Sequence, residues 1–190
     1  MVRIITGSKK GKKLLTPEGE ATRPTSERIK GAMFSSIQFD IENRRVLDLF
    51  AGSGQLGFEA LSRGAESVTF VEADRDTMEI VKKNAKSLDF FDRSRFSVAD
   101  YRNYIRKAGG RDKFDLVFID PPYAMECCAE AVKRLTDAEL IIPGALVVLE
   151  SGNEVIDPEC EVFSDFEFVK STSYGKKTAV NILLYKGKAE

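Results

Sequence analysis

The chain contains no histidine, which removes the Ser-His-Asp and Cys-His arrangements, His-ligated metal sites and imidazole general bases together. Its chemistry has to manage without imidazole. Cysteine is nearly as scarce: Cys127 and Cys128 are adjacent and Cys160 stands alone, so there is no CxxC or other metal-ligand spacing. The three read as small buried hydrophobes in a reducing, cytoplasmic setting. No apolar run is long enough to span a membrane, and the start, Met1-Val2-Arg3-Ile4-Ile5-Thr6-Gly7, lacks the apolar core of a signal peptide, so no membrane partner is expected. Internal repeats and low-complexity segments are also missing. Only Gly109-Gly110 and Ser151-Gly152-Asn153 punctuate the main body as loops.

What is present is ordinary in bulk. A chain of 190 residues, 43% hydrophobic and 31% charged, has the length of one domain plus a small appendage, divided here as a basic hairpin extension over 1–22 and a main domain over 23–190. The net charge of -1 hides an asymmetry, because residues 1–30 carry eight Lys/Arg against three Glu while the remainder carries 21 basic and 27 acidic groups. A basic arm on a mildly acidic body implies local phosphate contacts rather than a whole surface drawn to nucleic acid. A merely solvated charged tail is the competing reading of that feature alone.

Residues 2–6 and 12–15 read as two short strands around Gly7-Ser8-Lys9-Lys10-Gly11, a loop of hairpin composition. A proline and hydroxyl cap in Thr22-Arg23-Pro24-Thr25-Ser26-Glu27 precedes Ile29, Ala32, Met33 and Ile37 at helical spacing. From Arg45, apolar strands (46–50, 67–71, 96–98, 114–119, 145–150) alternate with helical stretches (56–63, 75–88, 101–108, 127–135). That rhythm predicts an α/β fold, a mostly parallel sheet covered on both faces. Residues 161–170 and 178–185 then follow as consecutive strands, so the sheet is expected to end in an antiparallel pair.

Two strand ends carry chemistry. Gly52, Gly54 and Gly57 lie between a strand and a helix, where absent Cβ atoms let a ligand rest against backbone N–H groups. GxGxxG serves NAD, FAD and S-adenosylmethionine (SAM) alike. Asp48 discriminates among them, because a carboxylate inside an apolar strand needs a partner, which a methionine ammonium supplies and a pyrophosphate does not. Glu72 closes the second strand at the position where an acidic side chain reaches ribose hydroxyls. Asp100 follows the third strand as an acceptor for the adenine amine, or as an N-cap for the helix starting near Tyr101.

The second strand end is Asp120-Pro121-Pro122-Tyr123. Two prolines stiffen the turn and remove two N–H donors, leaving an acceptor-only niche that selects an NH₂ group. Acceptors gripping both amine hydrogens favour pyramidalisation of a delocalised nitrogen, and Tyr123 would stack on the base. A sulfonium is already an activated donor, so alignment matters more than a strong base.

These residues resemble the bacterial RsmD-type ribosomal RNA methyltransferases, which methylate the N2 amine of one guanine in 16S rRNA. The resemblance covers nearly the whole chain and includes Arg23-Pro24-Thr25 with the helix around Arg28 and Phe34, the run Phe50-Ala51-Gly52-Ser53-Gly54 followed by Leu56-Gly57-Phe58-Glu59-Ala60-Leu61-Ser62-Arg63-Gly64-Ala65, and a late Tyr174-Gly175. It implies a Rossmann-like class I methyltransferase with a seven-stranded sheet. It implies SAM held by Asp48, Phe50, Ala51, Gly52, Gly54, Glu72, Ala73, Asp100 and Tyr101, with the target guanine, of the guanine-966 type, at Asp120, Pro121, Pro122 and Tyr123. It also implies a monomer with no metal that meets 16S rRNA in the assembling 30S subunit. Arg3, Lys9, Lys10, Lys12, Lys13, Arg23 and Thr25 would then help to hold RNA or close over the cofactor. Tyr123 stands where some members carry Phe, which keeps the ring, while Lys176 and Lys177 replace more acidic or hydroxyl residues. Competing readings are an N6-adenine methyltransferase of RNA or DNA, an NAD-dependent oxidoreductase and a non-catalytic RNA-binding factor.

Overall fold

The computed structural model describes residues 2–17, 24–122, 124–175 and 178–188. They form two compact units, Met1–Asp100 and Tyr101–Glu190. The strands make one seven-stranded sheet of order β3-β2-β1-β4-β5-β7-β6.

In the first unit, α1 (Pro24–Ser36) starts with a proline, whose missing N–H costs a helix nothing in its first turn. It buries Ile29, Met33 and Phe34. β1 (Arg45–Asp48), β2 (Ser67–Glu72) and β3 (Ser94–Val98) pair in parallel, Val46 opposite Val68 and Phe70 opposite Phe96. Parallel pairs require crossovers, supplied by α2 (Gln55–Ser62) and α3 (Arg75–Ser87). α3 is capped by the Asp74 carboxylate, which accepts the Thr77 N–H at 2.7 Å, and it buries Met78, Val81 and Ala85. Phe58 of α2 packs on Phe70 of β2 with ring centroids 4.7 Å apart. Gly57 permits that approach, since a Cβ there would lie 2.3 Å from the Phe70 ring.

The amino-terminal arm folds back as predicted, but its ladder is a single bridge, Arg3 opposite Lys13. Ile4 N–H donates to the Lys12 carbonyl and Leu14 N–H to that of Val2, both at 2.9 Å. The pairing is short because the next donors serve α2 instead. The Glu59 carboxylate accepts from Ile5 N–H at 2.7 Å and Thr6 N–H at 3.0 Å, and Ser62 takes the Ser8 and Lys9 N–H groups.

The second unit contains α4 (Tyr101–Ala108), β4 (Phe114–Ile119), α5 (Cys128–Asp137), β5 (Ile141–Ser151), β6 (Phe166–Tyr174) and β7 (Thr178–Tyr185). β4 is buried at every position and runs parallel to β5, whereas β5 with β7 and β7 with β6 are antiparallel, as expected. Most boundaries match the sequence reading within two residues, and two strand starts shift by more. β5 starts at Ile141 rather than 145: Phe114 faces Ile141 but Leu116 faces Leu146, so Pro143 and Gly144 are carried as a bulge and not a turn. β6 starts at Phe166 rather than 161, because Glu161–Phe163 form a 3₁₀ turn whose Phe163 packs edge-on against Phe168 at 5.5 Å.

Among the described residues no helix is long and apolar enough to cross a membrane.

Candidate active site

Between Asp48 and Gln55 the chain leaves β1, makes a glycine turn and enters α2. Gly52 (φ 51°) and Gly54 (φ 81°) occupy the left-handed region, and a Cβ on Gly54 would lie 2.5 Å from the Phe58 ring. Three side chains hold the turn and the start of α2. Asp48 Oδ2 accepts the Gly57 N–H at 3.0 Å. Glu72 Oε2 accepts the Gly52 N–H at 2.9 Å, while its Oε1 accepts that of Asp74 at 3.0 Å. Asn84 Nδ2 donates to the Ser53 carbonyl at 3.0 Å. The Ala51 N–H adds a bond to the Val71 carbonyl at 2.9 Å.

The first unit therefore brings together Asp48, Gly52, Gly54 and Glu72. Asp48 is 1% exposed, and burial pushes its carboxyl up to about 7 against the pull of the Gly57 N–H, with the Glu72 charge pushing the same way. Glu72 is half-buried and uses one lone pair on each oxygen to pin the backbone, leaving one on each for a ligand hydroxyl. α2 begins at Gly54 without a side-chain cap. Phe50 is half-buried, Ala51 buried and Ala73 exposed, while Asp100 is half-buried two residues after β3. Asn84 escaped the sequence reading. Its signal was a polar residue on the buried face of α3, three positions from Val81 and four from Leu88.

In the second unit, β4 delivers Asp120 half-buried, Pro121 buried and Pro122 exposed. The Pro122 carbonyl accepts the Met125 N–H at 2.7 Å, which closes the corner. Beyond it, the Glu154 carboxylate accepts the Cys128 and Ala129 N–H groups at 2.7 and 2.9 Å and fixes the start of α5. The Tyr101 ring is buried and its hydroxyl donates to Glu130 at 2.8 Å. Burial, then that bond, holds the phenol above its usual range. Cys127 and Cys128 are buried, and burial pushes both thiols up. Cys160 departs from the expectation: it is exposed, in the loop before the 3₁₀ turn.

The basic arm is not uniform. Arg3 pairs with Glu27 at 3.2 Å, and Lys9 pairs with Asp89 at 2.9 Å while sitting over the Phe90 ring. Lys10, Lys12 and Lys13 are exposed and make no ion pair among the described residues. Tyr123, Arg23, Lys176 and Lys177 lie outside the described residues. Thr25 is in the first turn of α1, and its side chain also lies outside them.

Residues 2–183 match the model of a family described as conserved hypothetical protein 95. The chain is 35% identical over 161 residues to Ribosomal RNA small subunit methyltransferase D of Haemophilus influenzae, covering 83% of each protein. It is 33% identical over 150 residues to the protein of the same name in Escherichia coli, covering 79% of this chain and 74% of that one. Among solved structures, the Escherichia coli protein yhhF is 29% identical and superimposes with a TM-score of 0.85 over 98% of this chain and 99% of its own.

Proposed function

The chain belongs to the conserved hypothetical protein 95 family, and on that premise we propose that it transfers a methyl group from SAM to the exocyclic N2 amine of a guanine in 16S rRNA, of the guanine-966 type, within the assembling small subunit. Its fold is that of the class I methyltransferases, and the relatives named Ribosomal RNA small subunit methyltransferase D support ribosomal RNA as the methyl acceptor.

The observation that carries the reading is the buried Asp48 carboxyl, which accepts the Gly57 N–H and is lifted to about 7, beside a glycine turn whose Gly54 has no room for a Cβ. Such a group calls for a cation. An ammonium placed near it would return it to the ionised form, whereas a pyrophosphate would force it to stay protonated. The residues that would hold the donor are Asp48 for its ammonium, the turn 51–54 and the uncapped start of α2 for its nucleoside, and the remaining Glu72 lone pairs for its ribose hydroxyls. When bound, SAM supplies an electrophilic methyl on a positively charged sulfur.

The chain's own contribution is to orient the amine. In a sheet of this winding, ligands lie at the carboxyl ends of the parallel strands, and both the glycine turn and Asp120 follow such ends. The Asp120 carboxylate and the Pro121 carbonyl would accept the two amine hydrogens, the Pro122 carbonyl having one lone pair already engaged by the Met125 N–H. Held so, the amine would keep its lone pair free to react, and Asp120 would pass the released proton to water. Tyr123 supplies the stacking plane, and Lys10, Lys12 and Lys13 meet phosphates.

The test is incubation with labelled SAM and small-subunit particles lacking the modification, followed by nucleoside mass spectrometry. N2-methylguanine is the expected product, with Asp120→Ala lowering its rate about 10²-fold or more. N6-methyladenine, or no labelled base, would reject the N2-guanine reading.

A further inference from the structure

We infer that Asn84 is a positioning residue that makes the amino-terminal arm part of the cofactor cradle, so that the cradle's affinity for its nucleoside depends on a contact made by Leu15. The inference rests on the methyl-donor reading above and adds to it a residue and a chain segment that do not touch the donor.

Asn84 is 1% exposed and lies on the inner face of α3. Its side chain makes three hydrogen bonds at once. Oδ1 accepts the Leu15 N–H at 2.8 Å, and Nδ2 donates to the Leu15 carbonyl at 2.9 Å and to the Ser53 carbonyl at 3.0 Å. Toward Leu15 it behaves as a short piece of strand, meeting both backbone groups of one residue. Toward Ser53 it fixes the peptide that leads into Gly54, whose own N–H donates to the Ala51 carbonyl at 2.7 Å.

Glu72 pins the Gly52 N–H of the same turn from β2, and Asp48 pins the Gly57 N–H in the first turn of α2 from β1. Asn84 is the side chain among the three that also holds the arm. Its chemistry admits no substitute: the pattern needs one acceptor and two donors on one short side chain in a buried place, which Asp, Ser or an apolar residue does not offer. Breaking either side of the bridge leaves buried polar groups unmet and frees the Ser53 peptide to rotate. The Leu15 side chain is more than half exposed, so the residue serves here through its backbone.

The experiment is isothermal calorimetry with S-adenosylhomocysteine on the full-length protein, at a temperature where circular dichroism shows every variant fully folded, alongside thermal melting. Asn84→Ala, which removes all three bonds, is expected to weaken binding about tenfold, a typical coupling between linked sites. Leu15→Pro removes the Leu15 N–H and leaves the Asn84 bond to Ser53 chemically intact. It is expected to weaken binding several-fold. Glu79→Ala, on the exposed face of the same helix, is expected to leave binding unchanged.

Variants of Asn84 and Leu15 that melt earlier yet bind as tightly as the parent would overturn the inference, since Asn84 would then serve stability alone. Weakening by Asn84→Ala but not by Leu15→Pro would overturn the arm's share. A parent protein that takes up no S-adenosylhomocysteine would overturn the methyl-donor reading itself, and this inference with it.

Discussion

Within the cradle, burial raises the pKa of the Asp48 carboxyl. Asp48 holds its proton up to about 7 in the folded chain, against an ordinary value of 3.8. Between those values the native state carries a proton that the unfolded chain has released, so its contribution to stability falls as pH rises through that window and levels off above it. Ligand binding runs the other way. A cationic amine prefers the ionised carboxylate, so affinity for S-adenosylhomocysteine is expected to rise from pH 6 to pH 8 and to be accompanied by proton release at the lower end. Asp48→Asn should weaken binding at pH 8 and flatten this dependence, read by calorimetry in buffers of different ionisation enthalpy. A pH-independent affinity in the parent would remove Asp48 from ammonium recognition. Asp48 was legible in the sequence because a charge inside Val46-Leu47-Asp48-Leu49 contradicts a buried strand. Asn84 left only a weak signal, a polar residue at the spacing of Val81 and Leu88, and its role was not legible because its partners, Leu15 and Ser53, are far away in sequence.

At the scale of elements, the arm is joined to α2 by Ser62 and by one buried acid. Glu59 is fully buried and accepts from Ile5 N–H, Thr6 N–H and Arg63 Nε, with the Lys30 ammonium 3.6 Å away. Burial lowers the Lys30 pKa, and the Glu59 charge opposes that shift. Glu59→Gln keeps the shape but removes the counter-charge and turns an NH₂ toward groups that are themselves donors. The expected cost is about 3 to 5 kcal/mol, the range for breaking one partner of a buried ion pair, measured by urea unfolding. Amide exchange should speed up first at Ile5 and Thr6. Uniform exchange with no focus on the arm would show that Glu59 does not hold it. The hairpin itself could be read from its loop composition, but its attachment could not, since Glu59 reads locally as a polar position on a helix. The strand boundaries missed at β5 and β6 have a similar cause. Pro143-Gly144 has the composition of a turn, and only the pairing of β5 with β4 turns it into a bulge.

Over the whole chain, the opposite signs of the first thirty residues and of the remainder were visible by counting, as was the alternation of strands and helices. What counting cannot see is which cations are already neutralised. Arg3 and Lys9 have carboxylate partners, while Lys10, Lys12 and Lys13 are exposed without ion pairs among the described residues. If that arm meets phosphates, each lysine that does so releases counterions, and the logarithm of the binding constant falls with the logarithm of salt by about 0.7 per contact for a single strand. Replacing Lys10, Lys12 and Lys13 together by alanine should therefore reduce the salt slope of binding to a small-subunit RNA fragment by about 2, while affinity for S-adenosylhomocysteine in the absence of RNA stays close to that of the parent. Lys9→Ala should change the slope by less than one such increment, because Asp89 already meets its charge. An unaltered slope in the triple variant would assign the arm to structure alone, as the Asn84 and Glu59 contacts already do in part, and would move RNA recognition to the acidic body of the chain, where it would have to rely on base and shape contacts more than on phosphates.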